Sequence, residues 1–160
     1  MNDAQVLIIL GSPADGEWGS RIAERLSRLG IHSETRIASA HKTPGRLLSM
    51  LEEWERKPAV YITVAGRSNA LSGFVDAQVA GPVIACPPPS DSFGGMDILS
   101  SLRMPRGVAP LVVLEPENAA LAAAKILGLT DPTVRERVAS AQSEERERLA
   151  SADNPAGVGA

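Results

Sequence analysis

A lone cysteine, Cys86, and two histidines, His32 and His41, are the whole supply of thiol and imidazole side chains in this sequence. One thiol forms no internal disulfide, and no Cys/His cluster exists for a structural zinc, so the composition points to a cytoplasmic chain without a metal. Aromatic residues are scarce: Trp18, Trp54, Tyr61, Phe74 and Phe93 lie far apart and make no platform for stacked bases. An excess of positive charge is also missing. Sixteen Lys and Arg stand against 19 Asp and Glu, for a formal net charge of -3, which argues against nucleic acid as a partner. The apolar run Val6 to Leu10 has no basic segment before it and is too short for an export signal. No stretch approaches the ~20 apolar residues of a membrane span, so no membrane partner is expected.

What is present suffices for one core. With 160 residues, 44% of them hydrophobic, the chain supports a single domain over 1–152. Residues 153–160 carry no packing signal and are expected to be a disordered tail. Strand-length apolar runs alternate with helical stretches, and the joints hold Gly, Pro, Ser and Asp, which is the pattern of an α/β fold. The runs are Val6–Leu10, His32–Ile37, Ala59–Ala65, Pro82–Cys86 and Pro110–Leu114. The first is apolar throughout, as a strand covered on both faces requires, and the second is polar enough for a sheet edge. A flavodoxin-like αβα sandwich follows, with a five-stranded parallel sheet of order 2-1-3-4-5.

Helices are predicted from Glu17 to Leu29, from Pro44 with Leu47, Leu48, Leu51 and Trp54 on one face, from Asn69 to Gln78, from Asp97 to Met104 and from Glu117 to Leu127. A charged helix after Asp131-Pro132 has a thin apolar stripe and reads as peripheral, with Glu144 and Arg148 spaced to pair.

Ligands of such a sheet bind beyond the carboxyl ends of the strands. After the first strand, Gly11 allows close backbone approach, while Ser12 and the following N–H groups suit a phosphate. The same GSPAD segment, Gly11 to Asp15, also reads as an ordinary βα turn in which Ser12 or Asp15 caps a helix. It fits neither a dinucleotide fingerprint nor a P-loop. After the second strand, Ser39-Ala40-His41-Lys42-Thr43-Pro44 sets an imidazole beside a cation; His41 is either a proton carrier or a surface histidine. His32 reads as solvated. After the third strand come Gly66, Arg67, Ser68 and Asn69, in which Arg67 suits an anion or a neighbouring subunit and Ser68 or Asn69 caps the next helix. The Pro87 to Gly95 loop is a further candidate, whereas Cys86 reads as a buried, inert thiol.

Taken together, GSPAD, SAHKTP, AGRSN, SFGGMDILSSLRMPRGV and ENAALAAAKILGL resemble the 5-aminoimidazole ribonucleotide (AIR) carboxylases of purine biosynthesis, the PurE family, from about Val6 to Leu129. Lys42 and Arg67-Ser68-Asn69 are similar to the class II pattern of direct CO2-using carboxylases, not to that of the class I mutases that act on the N5-carboxylated ribonucleotide. The resemblance implies a cytoplasmic enzyme that needs no cofactor and assembles as a homo-octamer. By the same resemblance, Gly11, Ser12 and Asp15 hold the ribose phosphate, Ser39, Ala40, His41 and Lys42 border the imidazole and CO2, and His41 transfers the proton. Lys42 takes the family's basic position. Gly66, Arg67, Ser68 and Asn69 then line the CO2 side. One departure stands out: Ala14 occupies the place of a second serine in the family's first loop, which predicts weaker substrate binding. The competing reading from another class is a non-catalytic flavodoxin-like module that binds FMN or a sugar phosphate.

Overall fold

The computed structural model describes residues 5–57 and 59–153. Five parallel strands, β1 (Val6–Leu10), β2 (Ser33–Ile37), β3 (Val60–Val64), β4 (Val83–Ala85) and β5 (Leu111–Val112), form one sheet in the order β2-β1-β3-β4-β5. The helices are α1 (Gly16–Arg28), α2 (Pro44–Trp54), α3 (Leu71–Asp76), α4 (Leu99–Leu102), α5 (Pro116–Leu127) and α6 (Pro132–Ala152). Among the described residues, no helix is long and apolar enough to cross a membrane. The expected tail from Asn154 onward lies outside the described residues.

Strand alternation builds two cores. Val6, Ile8 and Leu10 of β1 meet Ile22 and Leu26 of α1, Ala119, Ala120, Ala123 and Ala124 of α5, and Val134 and Val138 of α6. Leu7 and Ile9 point to the other face, against Leu47, Met50, Leu51 and Trp54 of α2 and Leu71 and Val75 of α3. Every residue of β1 is buried because the sheet is covered on both sides, which is why the run has no polar position. Each fully buried Leu or Ile contributes about 1.5–3 kcal/mol. The alanines of α5 serve close approach to α1 and the sheet rather than a site.

Several local expectations change. On α2 the inward face takes Met50, while Leu48 is 38% exposed. Met50, Leu51 and Trp54 stand three, four and seven positions after Leu47, the i, i+3, i+4, i+7 pattern of a buried stripe, and Leu48 falls beside it. The stretch expected as a helix over Asp97 to Met104 is helical to Leu102, with only its four residues Leu99–Leu102 in α geometry. These follow a 3-10 segment, Ser92–Ile98, in which Phe93, Gly94 and Gly95 take left-handed backbone with φ of 52, 61 and 83°. Arg148 pairs with Glu145, and Glu144 instead accepts the Ser140 hydroxyl, so the expected Glu144–Arg148 pair is absent.

Among the described residues, α6 is fastened in its first half. Asp131 Oδ1 accepts the N–H groups of Thr133 and Val134 at 2.9 and 3.2 Å. Arg135 donates to the Gly128 carbonyl at 2.9 Å, and Arg137 reaches the Gly30 carbonyl at the end of α1 at 3.1 Å. From Glu144 onward every described residue is exposed.

Candidate active site

Strand order reverses between β1 and β3, so the loops that leave their carboxyl ends diverge and open a crevice. Gly11 marks the bottom of it. Its N–H donates to the Val64 carbonyl at 2.9 Å, extending the β1–β3 pairing, and an added Cβ would stand 3.1 Å from that of Ala65. The glycine thus serves the approach of the first and third loops to each other. Ser12 follows with extended backbone and accepts the Ala14 N–H at 3.2 Å, capping the 3-10 turn Pro13–Asp15 that leads into α1. The capping reading of this segment is therefore realised, in front of a 3-10 turn rather than of α1 itself.

The second loop is a self-tied turn. Ser39 N–H donates to Thr43 Oγ1 at 2.9 Å, Thr43 N–H donates to the Ser39 carbonyl at 2.9 Å, and Lys42 N–H donates to Ser39 Oγ at 3.2 Å. Ala40, His41 and Lys42 are left at the tip, with His41 and Lys42 exposed. Thr43 was no sequence candidate; its signal is the spacing of four from Ser39, which closes the turn before Pro44 starts α2.

In the third loop, Arg67 has φ of 59°, a left-handed conformation uncommon for a residue with a Cβ. Asn69 turns inward and is 4% exposed. Its Oδ1 accepts the Ser72 N–H at 3.2 Å in the first turn of α3, and its Nδ2 donates to Ser101 Oγ at 2.9 Å. It caps and anchors, as one sequence reading allowed, and is not part of the cleft wall.

The three loops close on one cleft of about 610 Å3, lined by Gly11, Ser12, Asp15, Ser39, Ala40, His41, Lys42, Gly66, Arg67 and Ser68. That volume falls within the ~300–1,000 Å3 typical of small-molecule sites. Pro88, Pro89, Ser90 and Ser92 supply the fourth wall, so the Pro87 to Gly95 loop does border the site. Behind Gly66, Arg67 and Pro88 lies a more apolar cavity of about 310 Å3 that reaches Trp18 and Leu114.

Asp15 is partly buried in the cleft floor, and desolvation lifts its carboxyl above the ordinary value of 3.8, against the opposing pull of the Ser12 backbone and of Arg67. A carboxyl whose folded pKa is raised costs stability when it ionises: the penalty is absent below pH 3.8 and complete once pH passes the folded pKa. Asp15→Asn is therefore expected to raise the melting temperature at pH 7 and to leave it unchanged near pH 3. Melting curves across that range check it, and an equal shift at both ends would assign the effect to something other than ionisation. Cys86 is fully buried, and burial pushes its thiol up to about 11, so it is inert at neutral pH.

Fold and cleft together define a doubly wound α/β protein with a cleft of small-molecule size at its topological switch point, lined by an imidazole, an ammonium and a guanidinium. The chain belongs to the AIR carboxylase family of enzymes, whose sequence profile matches residues 5–148. It is 55% identical over 149 residues to a phosphoribosylaminoimidazole carboxylase of Archaeoglobus fulgidus, covering 93% of this chain and 83% of that protein. A protein of the same description from Treponema denticola is 51% identical over 151 residues, covering 93% of this chain and 95% of its own length. The crystal structure of Treponema denticola PurE superimposes with a TM-score of 0.92 at 50% identity, covering 94% of this chain and 97% of that one. The flavodoxin-like fold and the family expected from the loop motifs are both borne out.

Proposed function

We propose that this chain carboxylates AIR with CO2 to 4-carboxy-5-aminoimidazole ribonucleotide in purine biosynthesis, as a class II enzyme without ATP, biotin or a metal. The observation that carries the proposal is the convergence of Gly11-Ser12-Asp15, Ser39 to Lys42 and Gly66 to Ser68 on one cleft. Relatives that share half of the sequence are named for this carboxylation. Lys42 and Arg67-Ser68-Asn69 support class II over the class I mutase.

The chemistry asks little of the protein. The exocyclic amine of AIR pushes electrons onto C4, which attacks the carbon of CO2; a C–C bond forms, one C=O π bond opens, and C4 then carries both a carboxylate and a proton. His41 removes that proton, its electron pair restores the aromatic ring, and the exposed imidazole releases the proton to water. Lys42 and Arg67 offset the developing carboxylate charge, while Ser12 and nearby backbone N–H groups hold the phosphate. Asp15 contacts the ribose. Asn69, turned inward, serves by fixing the loop. An ultraviolet assay with AIR and bicarbonate, without ATP, beside one with the N5-carboxylated nucleotide, tests the reading. Product from the first mixture alone supports class II, product from the second alone transfers the chain to class I, and inactivity on both favours a binding module.

Assembly into a homo-octamer belongs to the same reading. Exposed apolar side chains concentrate at Phe93, Met96, Leu99, Leu102, Leu111 and Leu114, and the second half of α6 stands exposed among the described residues. Light scattering of the purified chain is expected to give eight times the 16.8 kDa of one subunit. A monomer would overturn the assembly.

A further inference from the structure

Two consecutive serines of α4, Ser100 and Ser101, lie within the SFGGMDILSSLRMPRGV segment but receive no role at the site from sequence, yet they grip the third loop across more than 30 residues of chain. Ser100 Oγ accepts the N–H of Asn69 at 3.0 Å and lies 3.0 Å from the carbonyl of Arg67, to which it donates. Its one proton is shared with the Asp97 carbonyl at 2.8 Å, the ordinary back-bond of a serine in a helical turn. The residue between the two gripped backbone groups is Ser68, which is exposed and lines the cleft. A single hydroxyl thus brackets Ser68 from both sides and holds the carbonyl of the left-handed Arg67. Ser101, 2% exposed, holds the next side chain, Asn69, from below.

We propose that Ser100 is a positioning residue for the carboxylation: it holds Arg67 in left-handed backbone and thereby sets Gly66 to Ser68 against the reacting carboxylate. The proposal rests on the function above. Without the grip, the Arg67 backbone relaxes toward the conformations that residues with a Cβ prefer, and the loop samples positions in which Ser68 and the Arg67 guanidinium are misplaced. The hydrogen bonds of Ser100 go to Arg67, Asn69 and Asp97 and not to the nucleotide-holding first loop, so the loss falls on the chemical step and on CO2 rather than on nucleotide binding.

Steady-state kinetics of Ser100→Ala and Ser100→Thr in the full chain test this. On the nucleotide that the parent turns over, Ser100→Ala is expected to lower kcat at least tenfold and to leave KM for the nucleotide within twofold. Ser100→Thr, which keeps the hydroxyl, recovers most of the loss. Hydrogen exchange of the Asn69 amide in the free protein is expected to speed up at least tenfold in the Ala variant alone. An active parent with an unchanged Ser100→Ala variant overturns the role of Ser100 and leaves the function standing. A Thr variant as slow as Ala, or a parallel loss of kcat, nucleotide affinity and melting temperature, reduces Ser100 to a structural residue. A parent inert on both nucleotides overturns the function and this inference with it.

Discussion

His41→Asn is expected to lose 10²- to 10⁴-fold in turnover, the usual contribution of a positioned acid–base group, while binding AIR within about threefold of the parent. Such a loss corresponds to about 2.7–5.5 kcal/mol of barrier. The separation of turnover from binding follows from the loop's construction. Ser39 and Thr43 tie the turn through their own hydroxyl and backbone groups, and no hydrogen bond of that turn uses the imidazole. Asn fits the place and the turn stays closed, but a carboxamide neither takes up nor releases a proton near neutral pH. Titration calorimetry with AIR measures the binding and the ultraviolet assay measures the turnover. Full activity in the variant would move proton transfer to another group, with Lys42 the first to examine, since it stands next to His41 on the same exposed tip.

The sheet was legible because its residues do one job each. β1 sits between two strands and two layers of helix, so each of its positions is apolar, and the run Val6 to Leu10 coincides with the strand observed. β2 has one neighbour, and its polar SETRI sequence matches an edge. Pro44 and Pro132 mark helix starts because a missing N–H is harmless there. The cleft's chief residues were legible for a related reason: in this topology any polar group just past a strand lies on one side of the molecule, so strand ends alone collect Ser12, His41 and Arg67.

What stayed hidden depends on contacts between segments far apart in sequence. Asn69 sits in the third-loop motif, but its neighbours in sequence do not reveal that Ser101 draws it inward; that bond spans 32 positions. The helix expected over Asp97 to Met104 opens as 3-10 turns and stops at Leu102, two residues early, because Arg103 is already extended (φ -112°, ψ 108°) ahead of Pro105. Met50 replaced Leu48 in the core because it lies about 60° around the helix from Leu47, inside the stripe, whereas Leu48 lies about 100° away on the opposite flank. The role of Gly11 also shifted. From sequence it reads as room for a ligand, whereas in the fold its missing side chain makes room for Ala65.

Trp54→Ala is expected to remove about 3–5 kcal/mol of folding stability, the usual range for deleting a large buried aromatic ring. Trp54 is 1% exposed at the last position of α2, packed in the core formed with Leu7, Ile9 and Tyr61, and the Lys57 ammonium lies 4.6 Å from its ring centre. Against the ~5–15 kcal/mol that holds a typical domain together, the loss is about a fifth at the least. Its effect reaches the cleft through one rigid element. α2 begins at Pro44, directly after the turn that carries His41 and Lys42, so the packing of α2 on the sheet sets where that turn stands. Chemical denaturation is expected to show a lower midpoint with an unchanged slope. Trp54→Phe, which keeps a ring in the same space, is expected to recover more than half of the loss. The Ala variant is also expected to lose turnover at temperatures below its own unfolding transition, as the loosened α2 lets the His41 turn wander. Turnover equal to the parent's at such temperatures would show that the Ser39–Thr43 tie and β2 hold the turn without help from α2.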